Sequence, residues 1–139
     1  MSDADPIHDY AIEQMNQLLT TLAFQVHHAA KKPASKEIHD LRVSIRRFSQ
    51  GLLLFASFFP KWEVKKIKRM LKRMMRLTSE IRDRDIALEF IARSNYAAHR
   101  RRLQKERDSY TRQFAEMVRR WSARDFSAKW RTRLSLRTV

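Results

Sequence analysis

The stretch His39-Asp40-Leu41-Arg42-Val43-Ser44-Ile45-Arg46-Arg47 holds the side chains of this sequence best suited to chemistry. On a helix, at about 100° per residue, His39, Arg42 and Arg46 project along one stripe. Ile38, Leu41, Ile45, Phe48, Leu52, Phe55 and Phe59 line a second stripe about 130° away. One helix thus presents an apolar seam for packing and, apart from it, a ladder of cationic donors. Arginine suits phosphate because its planar fork makes paired, charge-assisted bonds and never loses its proton. An i, i+4 spacing sets Arg42 and Arg46 about 6 Å apart along the axis, which lets both meet successive phosphates of a flexible chain. A plain solvated face would show the same spacing.

A second group is Arg82-Asp83-Arg84-Asp85. By helical phase Asp85 falls on the apolar stripe of its helix, Arg82 at the edge, and Asp83 outward. A carboxylate facing the interior of a basic protein needs a partner, because burying it unpaired is costly. Its simplest expected task is to orient an arginine of the helix that carries His39. An i, i+3 ion pair within its own helix is the alternative.

The elements that must position these residues are helical almost throughout. One glycine and three prolines in 139 residues leave little material for hairpins. Asp5-Pro6 predicts a cap and first turn, with Ala11, Met15, Leu18, Leu22, Val26 and Ala29 buried as far as Ala30. Lys31-Lys32-Pro33 stops this helix, and Ser35 is the expected cap of the second, which ends before Pro60. The third spans Trp62 to Arg93, with Ile67, Met70, Leu71, Met74, Leu77, Ile81 and Leu88 inward. Ser94-Asn95 breaks it. The fourth uses Leu103, Tyr110, Phe114, Met117 and Trp121, and kinks or ends near residues 122–126. Residues 135–139 are expected to fray. The predicted fold class is all-α: one domain over residues 1–139, an antiparallel four-helix bundle of long helices.

Composition narrows the function. A net charge of +15 on a chain that is 43% hydrophobic describes a folded domain with an anionic partner rather than a disordered basic tail. The first thirty residues contain four carboxylates and no Lys or Arg, so the rest of the chain is more basic still. Without cysteine there is no disulfide or thiolate chemistry. The acidic start does not resemble a signal peptide, and the longest near-apolar run, Gly51 to Phe59, is too short to span a bilayer. The expectation is a soluble, cytoplasmic protein with no membrane partner.

Together the two groups resemble the CHAD domain, the conserved histidine α-helical domain. The resemblance rests on His39, Arg42, Val43, Arg46 and Arg47, then Lys65, Lys68, Arg69, Lys72 and Arg73, then Arg82-Asp83 and Asp85-Ile86. It covers residues 36–92 well. It implies a non-enzymatic, all-helical module without cofactor or metal that binds inorganic polyphosphate. The site it implies is His39, Arg42, Arg46, Arg47, Lys65, Arg69, Lys72, Arg73 and Arg82, with Asp85 as orienting carboxylate. It further implies association with polyphosphate granules and their proteins, or with a triphosphate-tunnel phosphatase. Ser49 and Thr78-Ser79 depart from the family pattern. A typical member has two four-helix halves and this chain has the length of one, so either it is a fragment or two copies associate to restore the pair, and a homodimer is the favoured expectation.

Two other functions compete. Nucleic acid would also be drawn to this charge, but no compact pair of reading helices is evident and no aromatic residue interleaves the basic stripe. A polyanion phosphohydrolase would use His39, Asp40 and Asp85, yet the arginines beside His39 would repel a divalent cation. His27-His28 reads as one partly buried and one exposed residue. Arg100-Arg101-Arg102, Arg119-Arg120, Arg131 and Arg133 read as solvated face or electrostatic funnel.

Overall fold

A computed structural model describes residues 6–136, and these form five helices with no strand. The helices are α1 (Pro6–Lys31), α2 (Ser35–Leu54), α3 (Lys61–Ile91), α4 (Ala97–Ala123) and α5 (Phe126–Arg133), with a short 3-10 turn at Ala56–Phe58 between α2 and α3. No helix among the described residues is long and apolar enough to cross a membrane.

The apolar periodicity decides what is buried. All seven residues of the predicted α2 seam, from Ile38 to Phe59, are buried. On α1 the buried face is Ala11, Met15, Leu19, Leu22, Val26 and Ala29; Leu18 packs at its edge instead of within it. Gly51 of α2 lies directly against α1. A Cβ there would lie 2.6 Å from Met15 Sδ and 3.0 Å from Leu18 Cδ1.

Helix ends differ from expectation in local chemistry. Asp5 lies outside the described residues. Ser35 is the first helical residue of α2 and not its cap; Ala34 takes that place in extended backbone, with no side-chain bond. Pro60 caps α3 with φ −60°, and its carbonyl accepts the first helical bond, from Val64 N–H at 3.0 Å. Its ring sits outside the helix, where a missing N–H costs nothing.

Chain neighbours run antiparallel. Tyr10 meets Phe55 while Met15 meets the Gly51 position, which aligns α1 against α2. Arg84 bonds Glu106 while Leu77 shares a hollow with Met117, which aligns α3 against α4. Helix α1 also packs on α4.

The fifth helix was not foreseen. Asp125 adopts φ 48°, a left-handed turn that ends α4 and sends α5 back over α1. Trp130 of α5 stacks on Phe48 at 5.7 Å and meets Trp121 edge-on at 5.6 Å. Residues 135–136 do not fray. Leu136 is buried, and its carbonyl accepts a bond from Asn16 Nδ2 of α1. Residues 137–139 lie outside the described residues. Arg131 is likewise no solvated charge, because it donates to Asn16 Oδ1 at 3.2 Å and Thr20 Oγ1 at 2.8 Å.

Candidate anion-binding groove

Helices α2 and α3 face each other along a groove that contains the His39 stripe. At one end Ser35, His39 and Arg42 of α2 surround a cavity of about 260 Å³ with Arg82, Asp85 and Glu89 of α3. Towards the other end Ser49 lies opposite Lys65, Lys68, Arg69 and Lys72 in a hollow of about 490 Å³. Low numbers on α2 therefore meet high numbers on α3, and the two hollows lie at either end of one antiparallel pair.

Arg42 joins the two walls. Its Nη1 donates to the Met75 carbonyl (3.0 Å), Thr78 Oγ1 (2.7 Å) and Ser79 Oγ (3.0 Å). Thr78 is fully buried and passes its own proton to the Met74 or Met75 carbonyl. One nitrogen of the guanidinium is thus committed to α3. Its Nε is buried with no partner. Burial lowers the pKa of Arg42 from its ordinary value, and the charges of Arg46 and Arg82 lower it further against the opposing pull of Asp83. Arg42 and Arg82 thus share one cavity, with the charge of Arg46 also bearing on Arg42, an arrangement an anion would relieve.

Of the carboxylates near this point two are engaged elsewhere, while Glu89 lines the cavity and Asp83 acts on Arg42, neither in an ion pair among the described residues. Asp40 pairs with Lys36 at 3.1 Å. Asp85 corrects the sequence expectation: it pairs with Arg107 of α4, not with an arginine of α2. The phase argument places it between helices, but the helix it meets is the one on the other side. Arg84 beside it bridges Glu80 and Glu106, both at 3.2 Å, and lies over the Tyr110 ring. These pairs hold the outer half of the α3–α4 hairpin, where no side chain between Ile81 and Phe114 is fully buried.

The other candidate residues divide. Arg46, Lys65, Arg69, Lys72 and Arg82 are exposed and form no ion pair among the described residues. Arg73 does not join them. It lines the hollow between α3 and α4 with Arg76 and Tyr110, because it sits one step further round α3 than Lys72. Neither Arg46 nor Arg47 lines the hollows at the two ends of the groove; Arg46 bears on the site through its charge on Arg42, and Arg47 is exposed one step beyond it. Three groove residues escaped the candidate set. Lys68 was detectable, being i+3 from Lys65 and i−4 from Lys72; the anchoring hydroxyls Thr78 and Ser79 had no signal of role in their spacing.

The remaining histidines and arginines are placed by the fold. His27 and His28 are both exposed, the first 3.1 Å from Ser122 Oγ and the second stacked on Phe24. Arg120 pairs with Glu116, and Arg133 lies 3.9 Å from Glu63. Among the described residues no three His, Asp or Glu side chains stand together as a metal site.

Fold and groove together define an all-helical domain with an extended cationic cleft between two of its helices. The family model of the CHAD domain matches residues 13–138, and the chain belongs to that family. Membership agrees with a polyphosphate-related function at family level. No curated protein and no solved structure matches the chain.

Proposed function

We propose that this protein is a non-enzymatic module that binds inorganic polyphosphate along the α2–α3 groove and serves as a scaffold or targeting element. The observation that carries this reading is the repulsion of Arg42 by Arg46 and Arg82, with a buried, unpartnered Nε on Arg42. Phosphate groups lying over this point would neutralise the repulsion. His39 would add an N–H donor at the cavity end. Lys65, Lys68, Arg69 and Lys72 would take the following phosphates, each contact releasing counterions.

The four long helices serve this function as an antiparallel bundle equivalent to half of a typical family domain. Pairing with a second copy would double the length of the cationic surface. Cytoplasmic polyphosphate granules, with their associated proteins or a triphosphate-tunnel phosphatase, are the setting that suits such a module.

The test is titration of long-chain polyphosphate at fixed salt, repeated over a salt series. Lys68→Ala with Lys72→Ala should lower the affinity and flatten the salt dependence by about 1.4 in log–log slope, at ~0.7 per phosphate contact. An unchanged slope in that variant would remove the groove from consideration. Displacement by equal phosphate equivalents of DNA would point to nucleic acid. Metal-dependent release of orthophosphate would make the protein an enzyme.

A further inference from the structure

The α2–α3 turn buries Leu52, Phe55 and Phe59 on its inner side. On its outer side the chain leaves Leu53 67%, Leu54 74% and Trp62 66% exposed, although nothing in the fold requires apolar side chains there. Leu53 continues the stripe of Arg42, Arg46 and Ser49, and Trp62 continues that of Lys65, Arg69 and Lys72. Both walls of the cationic groove therefore end, at the turn, in a large apolar side chain. Arg69 reaches back over the Trp62 ring, 6.0 Å from its centre.

Single exposed leucines are ordinary on a protein surface. Three large apolar residues within ten positions are a patch, and its surroundings limit what can cover it. Lys61, Lys65, Lys66 and Lys68 are all exposed on the adjoining two turns of α3. Lys61, Lys65 and Lys68 also line a hollow of about 230 Å³ with Ala56 of the turn. Asp9 and Glu13 of α1 occupy the same end, since Tyr10 touches Phe55 and His8 touches Phe58, and Glu63 of α3 lies there 3.9 Å from Arg133, but three carboxylates do not balance these four lysines and Arg133. A second copy docked turn to turn would set like charges against each other. An anionic bilayer surface offers the complement: an apolar layer for Leu and Trp, and phosphates at the depth where lysine ammonium groups come to rest.

We propose that the α2–α3 turn is a docking surface for an anionic lipid bilayer, with Leu53, Leu54 and Trp62 entering the interface and the four lysines meeting headgroup phosphates. That no helix among the described residues is long and apolar enough to span concerns crossing a membrane, not resting on one. This goes beyond polyphosphate binding and uses different side chains for its apolar part. Lys65 and Lys68 are shared, so polyphosphate and lipid compete for them.

Tryptophan reports on the contact directly, because Trp62 is exposed while Trp121 and Trp130 are 8% and 1% exposed. The full chain is mixed with vesicles of phosphatidylglycerol and phosphatidylcholine, or phosphatidylcholine alone, and co-sedimentation is measured. Lipids brominated in the acyl chain then quench any tryptophan that enters. Binding to the anionic vesicles with quenching of the exposed tryptophan is expected, and at least about tenfold weaker binding for Leu53→Ser with Leu54→Ser. Both leucines are outside the core, so this variant keeps its fold. Its polyphosphate affinity is expected to be unchanged, and the vesicle result stands whichever way the polyphosphate titration falls. Failure to bind anionic vesicles, equal binding by the double variant, or binding without quenching would each overturn the proposal. So would a dimer in sedimentation that the double variant abolishes, which would assign the patch to a second copy.

Discussion

Arg42 and Arg46 look equivalent in sequence, four residues apart on one stripe, and the fold separates their roles. Arg46 is exposed and unpaired, so Arg46→Ala should leave stability within about 0.5 kcal/mol. Arg42→Ala removes a charged donor that serves three acceptors on α3. One Nη1 has two protons, so about two full bonds are lost, each worth ~1.5–3 kcal/mol when the donor is charged. Against this, the variant relieves the burial of the guanidinium and its repulsion by Arg46 and Arg82. The balance is a loss of about 2 kcal/mol, or about 6 °C in Tm for a domain of this size. Both variants should bind polyphosphate about tenfold more weakly, with the salt slope reduced by ~0.7 each. Chemical denaturation and calorimetry, set beside the titration, give the two readings independently. If Arg42→Ala were as stable as Arg46→Ala, Arg42 would not anchor α2 to α3, and its position in the groove would need another cause.

Three further outcomes follow from the packing. Gly51→Ala gains helix propensity of about 1 kcal/mol but drives a methyl into Met15, so denaturation should show a net loss of ~1 kcal/mol; full stabilisation would mean that α1 can yield. Asp85→Asn frees Arg107 and should raise hydrogen exchange at residues 82–113 about fivefold while leaving 38–81 unchanged, since the outer hairpin rests on ion pairs rather than on a core. The Tyr110 phenol is held above its ordinary pKa by its hydrogen bond to Glu80 and by that carboxylate's charge. Its contribution is present below the unfolded value of about 10 and is lost as pH rises through the folded one. Absorbance at 295 nm should therefore show a late-ionising phenol that Tyr110→Phe removes and Glu80→Gln moves down; no movement in the latter would discount the bond.

How much of the site was legible can be judged residue by residue. The seam from Ile38 to Phe59 and the stripe opposite it follow from period alone, because the angle between side chains on a helix is fixed by backbone geometry. Lys68 could have been found by the same arithmetic. Arg73 was misplaced because the basic side of α3 is wide enough to border two grooves, one towards α2 and one towards α4. Asp85 was rightly given a partner but the wrong helix, since phase gives a direction and not what stands there.

By itself the amino-acid order determined the helices, their apolar faces, the surplus of positive charge and the stripe of His39, Arg42 and Arg46, all of which depend on residues within a few turns of one another. Only the tertiary structure decided that Arg42 spends one nitrogen on Met75, Thr78 and Ser79, that Asp85 serves Arg107, and that Leu136 closes against Asn16. These contacts join residues 22 to 120 positions apart. Their formation depends on how helices are set against each other, which local periodicity does not contain.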